Sequence, residues 1–152
     1  MTKDIKYMKV ALKEAQIASL NGEVPVGAVI VKDDVIISKA HNLRQKKKSV
    51  LGHAEIIAIQ KANKKLDSWM LDDCTMYVTV EPCIMCAGTI IQSRIKRVVF
   101  ATYEPKFGAF GSILDLSKDY AFNHQVIVEQ GVLQEEASSM MKNFFKELRN
   151  SK

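Results

Sequence analysis

The chain has 152 residues, the length of one compact domain, and 47% hydrophobic and 26% charged residues, which is ordinary for a globular protein. No apolar run approaches the roughly 20 residues that span a bilayer, and the charged N-terminus lacks the apolar stretch of a signal peptide. Three cysteines do not make a disulfide framework. We therefore expect a single domain over residues 1–152, no membrane segment and a cytoplasmic location.

The formal net charge of +5 permits a polyanionic partner without requiring one. The cations are grouped in three runs, which are Arg44, Lys46, Lys47 and Lys48; Arg94, Lys96 and Arg97; and Lys142, Lys146, Arg149 and Lys152. A solvated charged surface is an equally good interpretation of each run taken by itself.

Hydrophobic periodicity predicts helices and strands in alternation along the chain. The predicted helices span 4–20, 54–66, 84–92 and 133–148. The predicted strands span 26–31, 35–38, 75–80, 97–101 and 126–128, the first two forming a hairpin. Helices that alternate with mostly apolar strands predict an α/β fold in which helices cover both faces of one sheet.

Two short motifs supply groups that bind metal. His53-Ala54-Glu55 is followed, 27 residues after Glu55, by the segment Pro82-Cys83-Ile84-Met85-Cys86. One histidine and two cysteines leave a tetrahedral Zn²⁺ one ligand short, which is typical of a catalytic zinc site. Glu55 lies two residues after His53, so on a helix it points about 200° away and is poorly placed to bind the same ion. We predict one Zn²⁺ per chain on His53, Cys83 and Cys86, with Glu55 moving protons.

Both motifs are predicted at helix starts. His53 precedes one helix, Cys83 and Cys86 bracket the first turn of another, and Pro82 takes the first helical position. The positive ends of the two helices would lower the thiol pKa values and favour thiolates. A structural zinc site would need a fourth Cys or His, and a redox pair would have no use for Glu55. The pattern H-x-E…P-C-x-x-C is the known signature of zinc nucleobase deaminases, so it predicts hydrolytic deamination.

Segments along the whole chain resemble the bacterial tRNA-specific adenosine deaminases, which convert adenosine to inosine at the wobble position of tRNA anticodons. The matching segments are 22–29 (GEVPVGAV), 53–56 (HAEI), 77–88 (YVTVEPCIMCAG), 93–95 (SRI), 111–112 (GS) and 144–149 (FFKELR). The resemblance implies a cytidine deaminase-like three-layer α/β/α sandwich with a five-stranded mixed sheet. It also implies a homodimer that binds the tRNA anticodon loop.

The same resemblance implies roles for individual residues. It makes Glu55 the proton shuttle and gives the zinc to His53, Cys83 and Cys86. It implies substrate contacts through a nucleoside-binding asparagine, apolar walls around the flipped base and residues that meet the anticodon loop. These residues are Pro25, Val26, Asn42, Ala54, Val80, Glu104, Lys106, Phe145 and Arg149.

Two positions depart from the family. Gly52 precedes His53 where the family often has alanine, and we expect it to relax the start of the helix without preventing zinc ligation. Glu104 stands where the family commonly has aspartate near the target ribose, and one extra methylene moves its acceptor by roughly 1.5 Å.

Two other functions fit parts of the pattern. A deaminase of free cytosine, guanine or cytidine would carry nearly the same zinc motif, although the basic C-terminal series favours RNA. A zinc-dependent RNA-binding module without catalysis would have no use for Glu55.

An adenine leaves its stack most easily in a single-stranded loop. Either Phe144 or Phe145 offers the adenine a stacking face while the other packs in the protein.

The remaining histidines and the third cysteine are expected to have no part in the site. His41 and His124 are predicted to be ordinary strand-end or loop residues, and Cys74 a buried apolar filler at a strand start.

Overall fold

The computed structural model describes residues 2–118 and 121–151. The helices are α1 (Thr2–Leu20), α2 (Arg44–Lys47), α3 (Ala54–Leu66), α4 (Ile84–Gln92) and α5 (Gln134–Asn150). The strands are β1 (Gly27–Lys32), β2 (Val35–His41), β3 (Cys74–Val80), β4 (Arg97–Thr102) and β5 (Ile127–Gln130). Within the described ranges, no helix combines the length and the apolar character that crossing a membrane requires.

The five strands form one mixed sheet in the order β2-β1-β3-β4-β5. β1 is antiparallel to both β2 and β3, whereas β4 is parallel to both β3 and β5. The carboxyl ends of β3 and β4 therefore lie at the same edge of the sheet as the amino end of β1. Residues that follow β3, such as Pro82 and Cys83, emerge beside residues that precede β1, such as Pro25 and Val26.

Alternate residues of the central strands pack on opposite faces of the sheet, as the pleat requires. Val29, Tyr77 and Val99 pack in one cluster with residues of α1 and α5. Their strand neighbours, such as Val78 and Phe100, pack in the other cluster with α3 and α4. Because both faces are covered, the strands are apolar on both sides. This arrangement confirms the predicted three-layer α/β/α sandwich with a five-stranded mixed sheet.

The predicted bounds of α3 and α4 are those observed, and the other predicted elements differ from the observed ones by one to three residues at their ends. The single turn of α2 was not predicted, because its side chains are exposed and carry no apolar periodicity. The buried carboxylate of Glu23 holds it by accepting the backbone N–H groups of Gln45 (3.0 Å) and Lys46 (2.9 Å). The predicted place of Pro82 is wrong: it lies one residue before the N-cap of α4, which is Cys83.

Candidate metal centre and substrate site

Two helix N-termini meet beside the carboxyl end of β3. His53 is the N-cap of α3 and Cys83 is the N-cap of α4, and both have extended backbone conformations. Cys86 follows as the third residue of α4. An N-cap residue stands half outside its helix, so the caps of two converging helices are well placed to share a ligand.

The side chains of these three residues come together as metal ligands would. Nδ1 of His53 lies 3.8 Å from Sγ of Cys83 and 3.5 Å from Sγ of Cys86. The sulfur and nitrogen ligands of a tetrahedral Zn²⁺ lie about 3.6 Å apart, given the usual Zn–S and Zn–N bond lengths. The donor set and its spacing therefore fit Zn²⁺. In the described part of the chain, no other group of three His, Cys, Asp or Glu side chains has this proximity.

The three donors share protons. The Cys86 thiol donates a hydrogen bond to the Cys83 sulfur and lowers the pKa of Cys83 to about 4. The same bond, together with burial, raises the pKa of Cys86, and the Cys83 sulfur raises the pKa of His53. The sequence predicts thiolates as the form that binds zinc, and the hydrogen bond from the Cys86 thiol favours the thiolate of Cys83. Metal ligands bind deprotonated, so Zn²⁺ would displace the proton of the Cys86 thiol.

Glu55 lies in the first turn of α3 and is 3% exposed. Burial is the main reason that its pKa is raised to about 7, and its carboxyl group also forms a hydrogen bond with Cys86. Glu55 does not belong to the cluster of ligand atoms, in keeping with its two-residue offset from His53. A carboxyl group that titrates near neutral pH both accepts and donates protons under working conditions.

The inner residues implied by the family resemblance surround this cluster. Asn42 follows β2, and its Oδ1 accepts the N–H of Ala54 at 2.8 Å, which leaves its amide NH₂ group as a donor. Pro25, Val26 and Val80 are buried at the strand ends of the same edge. Ala54 is fully buried in the core and presents no surface to a substrate.

The outer residues lie on two separate segments. Glu104 and Lys106 follow β4, and the Glu104 carboxylate accepts the backbone N–H of Lys106 at 3.0 Å. Phe145 and Arg149 are exposed on α5. The ring of Phe145 stands edge-on to Phe144 at 5.3 Å between centroids, and Phe144 is the more buried of the two. Lys152, the last cation of the C-terminal series, lies outside the described residues.

Gly52 lies where two backbone segments approach each other closely. A Cβ atom at this position would lie 2.8 Å from the backbone of Arg44, and Leu43 donates its N–H to the Gly52 carbonyl at 2.8 Å. A side chain at this position would collide with the Arg44 backbone, so the close approach of these two segments beside the metal cluster requires glycine.

Two buried carboxylates beside the site were missed by the sequence reasoning. Glu81 and Glu23 are each 3% exposed, and both accept hydrogen bonds from the backbone of neighbouring loops. The signal available in the sequence was an acidic residue directly after an apolar strand, as in Val80-Glu81-Pro82. An acid at such a place is buried with the strand end and must find donors.

The two other histidines and the third cysteine, which were predicted to have no part in the site, lie apart from the cluster. His41 pairs with Glu14 at 2.9 Å, and the ring of His124 contacts the Ile95 carbonyl at 2.6 Å. Cys74 is fully buried at the start of β3.

The chain matches known deaminases along nearly its whole length. The family profile of MafB19-like deaminases matches residues 2–149. A tRNA-specific adenosine deaminase of Bacillus subtilis is 48% identical over 152 residues, which cover all of this chain and 94% of the relative.

Two solved structures share the fold. A structure from work on A-to-I editing by tRNA:A34 deaminases at the wobble position of transfer RNA matches with a TM-score of 0.86 and 35% identity, covering 89% of this chain and 98% of the other. A guanine deaminase of Nitrosomonas europaea, at 21% identity, matches with a TM-score of 0.77 over 92% of this chain and 83% of its own, and shows the fold alone. The chain belongs to the MafB19-like deaminases, and it is related over nearly its full length to tRNA-specific adenosine deaminases.

Proposed function

We propose that this protein hydrolyses adenosine to inosine at the wobble position of tRNA, with one Zn²⁺ per chain on His53, Cys83 and Cys86. The observation that carries the proposal is the convergence of the His53, Cys83 and Cys86 ligand atoms, with the buried carboxyl group of Glu55 beside them but outside the cluster. The choice of substrate is supported by the 48% identical relative from Bacillus subtilis, which is a tRNA-specific adenosine deaminase.

The reaction follows from the chemistry of these residues. Zn²⁺ held by His53, Cys83 and Cys86 would supply a Lewis acid that activates water. Glu55 takes a proton from the attacking water while the water oxygen bonds to C6 of adenine. Glu55 then passes that proton to N1. Glu55 then carries the second water proton to the exocyclic nitrogen. The C6–N bond breaks, ammonia leaves and inosine remains, so adenosine and water are consumed in equal amounts.

The inner pocket residues would bind the flipped base. The free NH₂ group of Asn42 donates to the nucleoside, and Pro25, Val26 and Val80 provide apolar walls. Ala54 contributes differently from a contact residue, because it is fully buried and its N–H fixes the orientation of Asn42.

The outer segments would meet the anticodon loop. Lys106 and Arg149 are exposed cations that suit phosphates, Phe145 offers a stacking face, and Glu104 lies on the same loop as Lys106. Single-stranded RNA is commonly bound by this combination of cations and aromatic rings.

We propose further that residues 1–152 act as one domain in a cytoplasmic homodimer. Large apolar side chains are exposed on the start of α4 and on loops near the site, among them Ile84 (61% exposed) and Phe107 (68%). Exposed apolar groups of this kind favour burial against another protein surface. Light scattering of the zinc-loaded protein measures the assembly directly, and a monomer at micromolar concentration would contradict it.

Substrate choice is tested by offering the competing substrates side by side. The zinc-loaded protein is incubated with tRNA that carries adenosine at the wobble position and, separately, with free adenosine, cytidine, cytosine and guanine. Inosine in digested tRNA and released ammonia are then measured. We expect inosine in tRNA and no ammonia from the small molecules. Ammonia from a free base without inosine in tRNA would identify a nucleobase deaminase instead, and binding of tRNA without any product would identify a non-catalytic module.

A further inference from the structure

Glu81 is a buried carboxylate whose side-chain partners all lie in one loop, residues 104–112, which we call the 104–112 loop. It accepts the backbone N–H groups of Glu104 (3.0 Å), Phe110 (2.9 Å) and Ser112 (3.1 Å) and also the hydroxyl of Ser112. Four donors from a nine-residue stretch therefore converge on one side chain.

The loop is folded directly against this carboxylate. A Cβ atom added to Gly108 would lie 2.2 Å from Cδ of Glu81 and 2.3–2.4 Å from its two oxygens. Backbone and carboxylate thus approach more closely than any side chain at this position would allow, so Gly108 is required by the contact with Glu81.

The backbone around Glu81 also joins this loop to the metal cluster. The N–H of Glu81 donates to the Thr102 carbonyl at the end of β4, and the N–H of Ala109 donates to the Pro82 carbonyl, both at 2.9 Å. Cys83 forms an isolated antiparallel bridge with Gly108. The loop that carries Glu104 and Lys106 is thereby fixed to the same backbone segment that carries a zinc ligand.

The charge of Glu81 is matched by backbone dipoles rather than by a cation. Within the described ranges it forms no ion pair with Lys, Arg or His, and no buried side-chain N or O atom there is left without a partner. A carboxylate has only acceptors to offer. Glutamine at this position would turn an NH₂ group toward N–H donors, and bonds to a charged acceptor are stronger than those to a neutral one.

We propose that Glu81 is a positioning residue, which holds the 104–112 loop so that Glu104 and Lys106 meet the RNA strand beside the zinc site. This inference rests on the proposed function. Loss of the carboxylate is therefore expected to weaken RNA binding while zinc remains bound by His53, Cys83 and Cys86.

The test measures binding without turnover. All proteins carry Glu55→Ala, so that no product forms, and the probe is a fluorescent anticodon stem-loop with adenosine at the wobble position. Anisotropy gives the Kd, atomic emission gives zinc per chain, and amide exchange reports the N–H groups of Glu104, Phe110 and Ser112. We expect Glu81→Gln and Gly108→Ala to raise the Kd about tenfold or more and Ser112→Ala to raise it a few-fold, with zinc retained and faster exchange in the loop.

Two control variants separate positioning from a general loss of stability. Gly88→Ala makes the same change as Gly108→Ala, but on α4. Apart from the adjacent residues and the backbone of the helix itself, no heavy atom lies within 4 Å of the added Cβ. Tyr77→Phe removes a hydroxyl that donates to Asp4 at 2.7 Å at the other edge of the sheet. Both are expected to keep the parent Kd, even though Tyr77→Phe lowers stability.

The outcomes separate the positioning role of Glu81 from the proposed function. If the Glu55→Ala parent binds the stem-loop and Glu81→Gln binds it with the same Kd, the positioning role is wrong. This holds even if amide exchange in the loop becomes faster. An equal loss in Tyr77→Phe also overturns it. If Glu81→Gln and Gly108→Ala do not fold, Ser112→Ala decides by itself. If the wild-type protein makes no inosine in tRNA, the proposed function fails first.

Discussion

The two edges of the sheet use charged groups in opposite ways. At the edge where His53, Cys83 and Cys86 converge, which we call the zinc edge after the proposed metal, burial raises the pKa of Glu55 to about 7, and a hydrogen bond from Cys86 lowers the pKa of Cys83 to about 4. At the far edge, Arg97 donates to both oxygens of Asp4 (2.7 and 2.9 Å) and of Glu129 (2.8 and 3.0 Å). Groups whose protonation is nearly balanced are suited to chemistry, whereas fully paired charges stabilise one state.

Cavity size does not locate the chemistry in this fold. A cleft of about 570 Å³ lies at the far edge, with Asp4, Tyr77 and Arg97 in its lining. These three residues are already bonded to one another: the Tyr77 hydroxyl donates to Asp4 at 2.7 Å, and Arg97 binds the same carboxylate. The candidate site is instead distinguished by the converging ligand atoms of His53, Cys83 and Cys86 and by the raised pKa of Glu55 beside them, not by cavity volume.

The largest effect is expected at the zinc edge, from Glu55→Ala. The variant loses the buried carboxyl group that moves protons between water and base in the proposed reaction, so kcat for inosine formation should fall by a factor of about 10²–10⁴. Zinc should remain near one per chain, because Glu55 is outside the ligand cluster. Nucleoside analysis of digested tRNA and atomic emission measure both quantities. Unchanged turnover in this variant would remove Glu55 from the mechanism.

Arg97→Ala is the corresponding change at the far edge. It is expected to lower the stability of the protein and not the rate of the reaction. It leaves Asp4 and Glu129 without their shared cation, and we expect the free energy of unfolding to fall by about 2–3 kcal/mol. Urea unfolding measures this, with exposed Lys96→Ala as the neighbouring control. The kcat should stay near the wild-type value, since the network lies at the opposite edge. A variant that is equally stable would show that the network contributes nothing.

The contribution of Arg97 should also depend on pH in one direction. Hydrogen bonds from its guanidinium lower the pKa values of both Asp4 and Glu129. Groups whose pKa is lowered by folding stabilise fully above their unfolded values of about 4 and lose that contribution as pH falls through the folded values. The stability difference between wild type and Arg97→Ala should thus be constant from pH 7 to about 5 and shrink below pH 4. Urea unfolding of zinc-free protein checks this, and a difference that grows on acidification contradicts it.

Local patterns were sufficient for most of the fold. Helices α3 and α4 were predicted with their observed bounds, because their apolar positions repeat at helical spacing and each starts at a recognisable motif. The proximity of His53, Cys83 and Cys86 follows for the same reason, since all three residues lie at the starts of these two helices.

Long-range polar pairing was not predictable from local patterns. Arg97 stood in a basic run that suited RNA, yet its partners Asp4 and Glu129 are 93 and 32 residues away. Glu81 likewise meets Ser112 across 31 residues. Periodicity records which side chains are buried, but not which distant donor each buried acid receives. The Arg97 guanidinium is therefore engaged within the fold, by Asp4 and Glu129.

The smallest effect is expected on α5, where the RNA surface is most exposed. Replacing Lys146 and Arg149 by glutamine should weaken tRNA binding modestly and reduce the slope of log Kd against log salt by about 0.7 for each single-stranded phosphate that the variant no longer neutralises. Lys64 and Lys65 are the matched control, because they are exposed and lie at the end of α3 that is farther from His53. Their replacement removes the same charge and should leave the slope unchanged. Equal slopes in both pairs of variants would mean that net charge, rather than α5, attracts the RNA.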